Sequence, residues 1–182
     1  MIYVVTGTMR SGTSLMMRAF EASGVPVVKS EVRDHINARL QLNPVSLYEP
    51  SVDDRERVGF PRMYDGHAVK LVVSWLPSLA VHEYRVLVMR RNPEAIMDSR
   101  AAGLGEHWSF ARRAAWVREY PARMAETIRG LENRRDVHAV SIVDFERLLA
   151  SPRVVFEGLA EAGFPLVPDD AARVVDPLWR AA

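Results

Sequence analysis

The sequence predicts an α/β fold: a mostly parallel central sheet between two layers of helices, α/β/α. Three observations predict it. Residues 2–6 form a short, β-branched apolar run, which reads as a buried strand. A glycine-bounded loop follows at once and leads into a helical pattern. Beyond it, apolar runs of strand length alternate with longer helical stretches, the order that builds parallel sheets.

Each element has a local reason. Residues 7–12 form a tight loop, and residues 13–23 place Leu15, Met16, Ala19 and Phe20 at helical spacing before Gly24 stops them. Residues 25–28 read as a second strand and residues 31–41 as helical. Asn43-Pro44 and Glu49-Pro50 mark a loop, because the residue before a proline is pushed out of the helical region. Residues 68–73 and 85–89 read as strands. Asn92 caps a helix with Pro93 at its first position, and Gly103 is the expected stop. Residues 108–134 are one long helix, or two divided at Pro121. A strand at 139–143 precedes helices at 144–150, 152–162 and 169–175, with Ser151-Pro152 as a cap signal.

The chain has 182 residues, 48% apolar and 26% charged, with a net charge of +1. That is enough for one domain, taken as residues 1–182, with a substantial core. The near-neutral charge gives no bulk drive toward nucleic acid or a membrane surface. No apolar run approaches the roughly 20 residues of a membrane span, and the first residues read as a strand rather than a signal peptide. With no cysteine, disulfides, thiolate catalysis and cysteine metal sites are excluded, and a reducing cytoplasm fits. Of 24 basic residues only Lys29 and Lys70 are lysines. Arginine supplies a fixed charge and a planar fork suited to phosphate or sulfate.

Chemistry concentrates in Gly7-Thr8-Met9-Arg10-Ser11-Gly12-Thr13-Ser14. Glycines allow a tight turn whose N–H groups point into one cavity, and the following helix presents its N-terminus there; both favour an anion. Arg10 adds full charge, and Ser11, Thr13 and Ser14 add hydroxyls. The segment nearly matches the Walker A pattern of P-loop folds, but Thr13 stands in the lysine position. A second anion site is expected where the strand at 85–89 runs into Arg90-Arg91-Asn92-Pro93. Ser99 shares a helix face with Asn92, so Arg91 and Ser99 together suit a phosphate monoester. Arg90 should face the opposite way on an extended strand.

These residues resemble the sulfotransferases that use 3′-phosphoadenosine-5′-phosphosulfate (PAPS). That family's loop reads P-[KR]-S-G-T-[ST]; here it is Met9-Arg10-Ser11-Gly12-Thr13-Ser14. The family's 3′-phosphate arginine and serine stand eight positions apart, like Arg91 and Ser99. A third stretch, Asp144-Phe145-Glu146-Arg147-Leu148 running on to Pro152, is similar to its Y-E-D-L-x-x-x-P. The resemblance implies that Arg10, Ser11, Gly12, Thr13 and Ser14 hold the 5′-phosphosulfate, that Arg91 and Ser99 hold the 3′-phosphate, and that no metal takes part. It further implies transfer of a sulfuryl group to a hydroxyl or amine of a small-molecule acceptor.

The acceptor side is less defined. Arg10 is the expected cation on the leaving side. Glu31, His35 and Glu49 are candidate bases, the two carboxylates Glu31 and Glu49 being the preferred catalytic residues, and each also reads as a surface carboxylate or imidazole. The family's histidine base has no counterpart in Val73-Ser74-Trp75-Leu76-Pro77, and Lys70 reads as a strand-edge lysine or, alternatively, as a residue lining the acceptor pocket. The family's C-terminal glycine-rich segment is also missing, which leaves room for a homodimer in which a partner subunit completes the site. The rival reading takes residues 139–144 as a Walker B strand with Asp144 on Mg²⁺, giving a nucleotide triphosphatase or small-molecule kinase. A non-catalytic nucleotide-binding homologue is the third. The plain reading of Asp144 is a helix cap.

Overall fold

A computed structural model of the chain describes residues 1–29, Tyr48, Pro50 and 62–175. Within them four strands form an all-parallel sheet: β1 (Ile2–Gly7), β2 (Ala68–Val72), β3 (Tyr84–Arg90) and β4 (Val137–Asp144), in the order β2-β1-β3-β4. The helices are α1 (Thr13–Ala22), α2 (Pro93–Leu104), α3 (Phe110–Glu132), α4 (Phe145–Ala150), α5 (Pro152–Glu161) and α6 (Pro168–Arg173). The expected three-layer α/β/α arrangement with a parallel central sheet is what the chain adopts.

Strand periodicity divides the core in two. On β3, Tyr84, Val86 and Val88 join a cluster with Ile96 of α2 and Tyr120, Met124 and Leu131 of α3. Leu87 and Met89 face the other way, into a cluster with Leu15, Met16 and Phe20 of α1 and Phe156 of α5. Both faces of the sheet are therefore covered, as a parallel sheet requires. Phe156 is wholly buried in that second cluster. Phe156→Ala should cost about 3–5 kcal/mol, read as a lower denaturant midpoint at unchanged slope.

Several boundaries differ from expectation. Residues 25–28 make a single parallel bridge, Val27 to Ala68, rather than a strand; Pro26 has no N–H for a ladder. The strand at 68 ends at Val72, and Val73–Ser78 turns as a 3₁₀ helix. Helix α2 runs through Gly103 and stops at Gly105, which takes the left-handed conformation (φ 65°) and donates its N–H to Ala101. Helix α3 continues unbroken through Pro121, because Tyr120, Met124 and Leu131 anchor it to the sheet on both sides of the proline. Asn92 caps α2 as expected, its side chain accepting from the N–H groups of Glu94 (2.8 Å) and Ala95 (3.4 Å). Ser151 makes no side-chain cap bond to α5.

Chain order places the site. Strand β1 sends its helix, α1, to one face of the sheet, and its neighbour β3 sends α2 to the other. A crevice therefore opens beyond the C-terminal ends of these two strands, the usual binding position in open α/β sheets.

Candidate functional site

The glycine loop and the segment after β3 meet in that crevice. Gly7 pairs with Met89 in the sheet, so the two segments leave their strands side by side. Gly7 and Gly12 are demanded by contact. A Cβ on Gly7 would lie 2.4 Å from Ser11 Oγ, and one on Gly12 would lie 2.3 Å from the Phe145 ring. Between them Arg10 adopts a left-handed backbone (φ 71°), a conformation that costs a non-glycine residue about 1–2 kcal/mol. Such strain persists where the surroundings enforce it, commonly at ligand sites.

Arg91 supplies part of that enforcement. It donates through a terminal guanidinium nitrogen to the Arg10 carbonyl at 3.0 Å. Its guanidinium also lies 4.5 Å from the centre of the Phe145 ring, a cation–π distance. Arg10 in turn extends to α2, where its Nε donates to Ser99 Oγ at 2.9 Å. Arg91 and Ser99 are expected to converge on one ligand group; here Ser99 Oγ accepts from Arg10, and Arg91 donates to the loop backbone. The two anticipated anion sites are thus one connected cluster.

Electrostatics follow from this closeness. Burial pulls the basicity of the Arg10 guanidinium below its ordinary value, and the neighbouring Arg91 lowers it further. Burial does the same to Arg91, partly offset by Glu146. Two half-buried cations that oppose each other favour a negatively charged guest between them. The polar inventory agrees. Among the described residues the buried hydroxyls of Thr6, Thr8 and Ser11 and the Nε of Arg91 have no hydrogen-bond partner. Such orphans are costly and uncommon; these four lie in or beside the loop, whereas the unpartnered indole N–H groups of Trp108 and Trp116 belong to α3 and the segment before it.

Neighbouring arginines have opposite fates. Arg90 points away from the loop and holds Asp144 in a two-point pair of 2.5 and 2.9 Å. That hydrogen-bonded pair holds the Asp144 carboxyl below its usual range. Asp144 stands at the N-terminal boundary of α4 but makes no cap bond, so it is an ion-pair partner rather than the cap the sequence suggested. Among the described residues no cluster of His, Asp or Glu side chains suits a metal ion.

Beside Arg91 lies a cavity of about 540 Å³ whose wall includes Tyr120, Met124 and Ile128 and whose rim includes Arg90, Asn92 and Glu146. Its size falls in the range of small-molecule pockets, about 300–1,000 Å³. Tyr120 is buried, and burial raises its phenol pKa. The hydroxyl faces Thr8 of the loop and the Arg91 main chain without a full hydrogen bond to either.

Lys70 is the residue whose contact with the start of α1 sequence reasoning missed. It is 5% exposed, and its Nζ donates to Ser14 Oγ at 3.2 Å, so it is no solvent-facing strand-edge lysine. The available signal was a charge in the middle of the apolar run Ala68-Val69-Lys70-Leu71-Val72, at one of only two lysines in the chain. Thr13 and Ser14 open α1, both buried. Glu31, His35 and Glu49, the candidate bases, lie outside the described residues. The arginines at 112, 113, 118 and 123 serve ion pairs and packing on α3: Arg113 pairs with Asp98, Arg118 and Arg123 with Glu119, and Arg112 covers Trp108.

No protein-family model matches the chain. No curated protein matches it. Among solved structures it is similar to an unliganded sugar kinase from Janibacter sp. HTCC2649, at 12% identity and a TM-score of 0.38, over 88% of this chain and 96% of that one. Among the described residues no helix is long and apolar enough to cross a membrane.

Proposed function

We propose that this chain binds PAPS at the glycine loop and transfers its sulfuryl group to a hydroxyl or amine of a small-molecule acceptor. The observation that carries the reading is the convergence of two half-buried guanidinium groups, Arg10 and Arg91, on a glycine loop lined by unpartnered hydroxyls. A co-substrate with anionic groups at both ends of its nucleoside matches a cluster that extends from the loop to Ser99. Asp144 is committed to Arg90, and Thr13 replaces the Walker lysine. Both features count against a Mg²⁺–triphosphate arrangement of the usual kind.

In the proposed reaction the acceptor's oxygen or nitrogen forms a bond to sulfur while the bond from sulfur to the phosphate oxygen breaks. The acceptor's proton passes to a carboxylate, Glu31 or Glu49. Adenosine 3′,5′-bisphosphate leaves. This chain's part is electrostatic: loop N–H groups, Arg10 and the hydroxyls of Ser11, Thr13 and Ser14 stabilise negative charge growing on the departing phosphate. Arg91 and Ser99 hold the 3′-phosphate end.

Calorimetric titration tests this directly. Adenosine 3′,5′-bisphosphate should bind without metal and more tightly than ATP with Mg²⁺. Tight binding of ATP alone would replace the proposal with the nucleotide triphosphatase or kinase reading.

A further inference from the structure

We infer that Lys70 is a positioning residue of the anion site: it fixes the Ser14 hydroxyl as a donor toward the loop and brings from β2 the ammonium that the loop lacks at position 13. The inference rests on the loop being an anion site, and not on which nucleotide occupies it.

In a Walker loop two cations serve the bound phosphates. One is the lysine that follows the second glycine; the other is a Mg²⁺ ion on the hydroxyl of the next residue. Here Thr13 takes the first position and Ser14 the second. The Ser14 hydroxyl is already engaged, by the ammonium of Lys70 at 3.2 Å.

Topology explains the reach. Lys70 is paired with Val5 on the neighbouring strand, directly beneath the start of α1. An ammonium has three donors and no acceptor, so Ser14 Oγ must accept from it. The hydroxyl proton is then left to point elsewhere, and Ser14 stands in the first turn of α1, beside the loop. Both side chains are almost wholly buried, Lys70 at 5% and Ser14 at 6% exposure, so the charge acts with little screening by solvent. Burying an ammonium is costly unless it is well partnered.

Four proteins test the inference: Lys70→Met, Lys70→Arg, Ser14→Ala and the double variant Lys70→Met/Ser14→Ala. Each is first shown by its thermal transition to be folded, then titrated with adenosine 3′,5′-bisphosphate and with ATP, in EDTA and in Mg²⁺. Wild-type binding of the preferred nucleotide should be the same in EDTA as in Mg²⁺. Lys70→Met should weaken it roughly 10- to 100-fold, the range for a hydrogen bond involving a charged group. Lys70→Arg should recover part of the loss. The double variant should be no more than about threefold weaker than Lys70→Met, because residues acting through one contact are not additive.

A folded Lys70→Met protein that binds within twofold of wild type overturns the inference, as does wild-type binding that requires Mg²⁺. If Lys70→Met does not fold, Ser14→Ala decides: a loss of fivefold or more supports the inference and no loss overturns it. A wild type that prefers ATP overturns the PAPS reading alone, and the same variants then judge Lys70 against ATP. Binding of neither nucleotide overturns both.

Discussion

Replacing Arg91 with alanine is expected to weaken adenosine 3′,5′-bisphosphate by about 2–5 kcal/mol, the cost of removing one partner from a buried charge pair. That is roughly 30- to 4,000-fold in affinity. The side chain acts in two ways. Its charge faces the proposed phosphate site, and its fork holds the Arg10 carbonyl in the strained loop while stacking on Phe145. Arg91→Lys should keep part of the charge term but lose the stacked fork, and so fall between wild type and alanine. Arg90→Ala is the internal control. Arg90 is half exposed and pairs outward with Asp144, and exposed pairs contribute about 0–1 kcal/mol. Its effect on nucleotide affinity should stay below about threefold. Equal effects at 90 and 91 would remove Arg91 from the site.

Gly12→Ala should be the most damaging small substitution in the loop. At φ 97° the backbone is one that L-residues rarely adopt, costing about 1–2 kcal/mol. The new methyl would also stand 2.3 Å from one carbon of the Phe145 ring and 2.7 Å from another. Phe145 is buried beneath Arg91, so it cannot swing clear without disturbing the cluster; such overpacking costs about 1–3 kcal/mol. The sum, about 2–5 kcal/mol, corresponds to a Tm lowered by roughly 5–15 °C for a chain of this size. Gly24→Ala is the comparison: its backbone is also left-handed, but nothing lies within 4 Å of the added carbon. It should cost only the backbone term. A Gly12→Ala protein that melts within about 2 °C of wild type would show that the contact with Phe145 is not tight.

Several parts of the site were legible because they are local. The turn at 7–12 announces itself by glycine spacing, and the α2 cap by Asn92-Pro93. The opposite orientation of Arg90 and Arg91 follows from the strand pleat, and their partners, Asp144 and the loop, bear this out. Ser99 falls on the buried side of α2 because it lies two helical turns from the cap. Other features were not legible. The Arg10–Ser99 bond joins residues 89 positions apart, and Lys70–Ser14 spans 56. Nothing in either local sequence names its partner. Pro121 left one helix or two open, and packing against the sheet carried a single helix through the proline; Gly103 read as a stop, yet α2 ran on until Gly105 supplied a left-handed terminus.

By itself, then, the sequence determined the strand–loop–helix unit, the parallel order of elements and the residue types able to hold an anion. Each of these depends on hydrogen bonding and periodicity within a few residues. Tertiary structure alone decided which cations face one another. The sheet sets β2, β1 and β3 side by side, and that adjacency brings Lys70, Arg10 and Arg91 to a single loop. Charges act through space rather than along the chain, so their grouping existed only once the strands had paired.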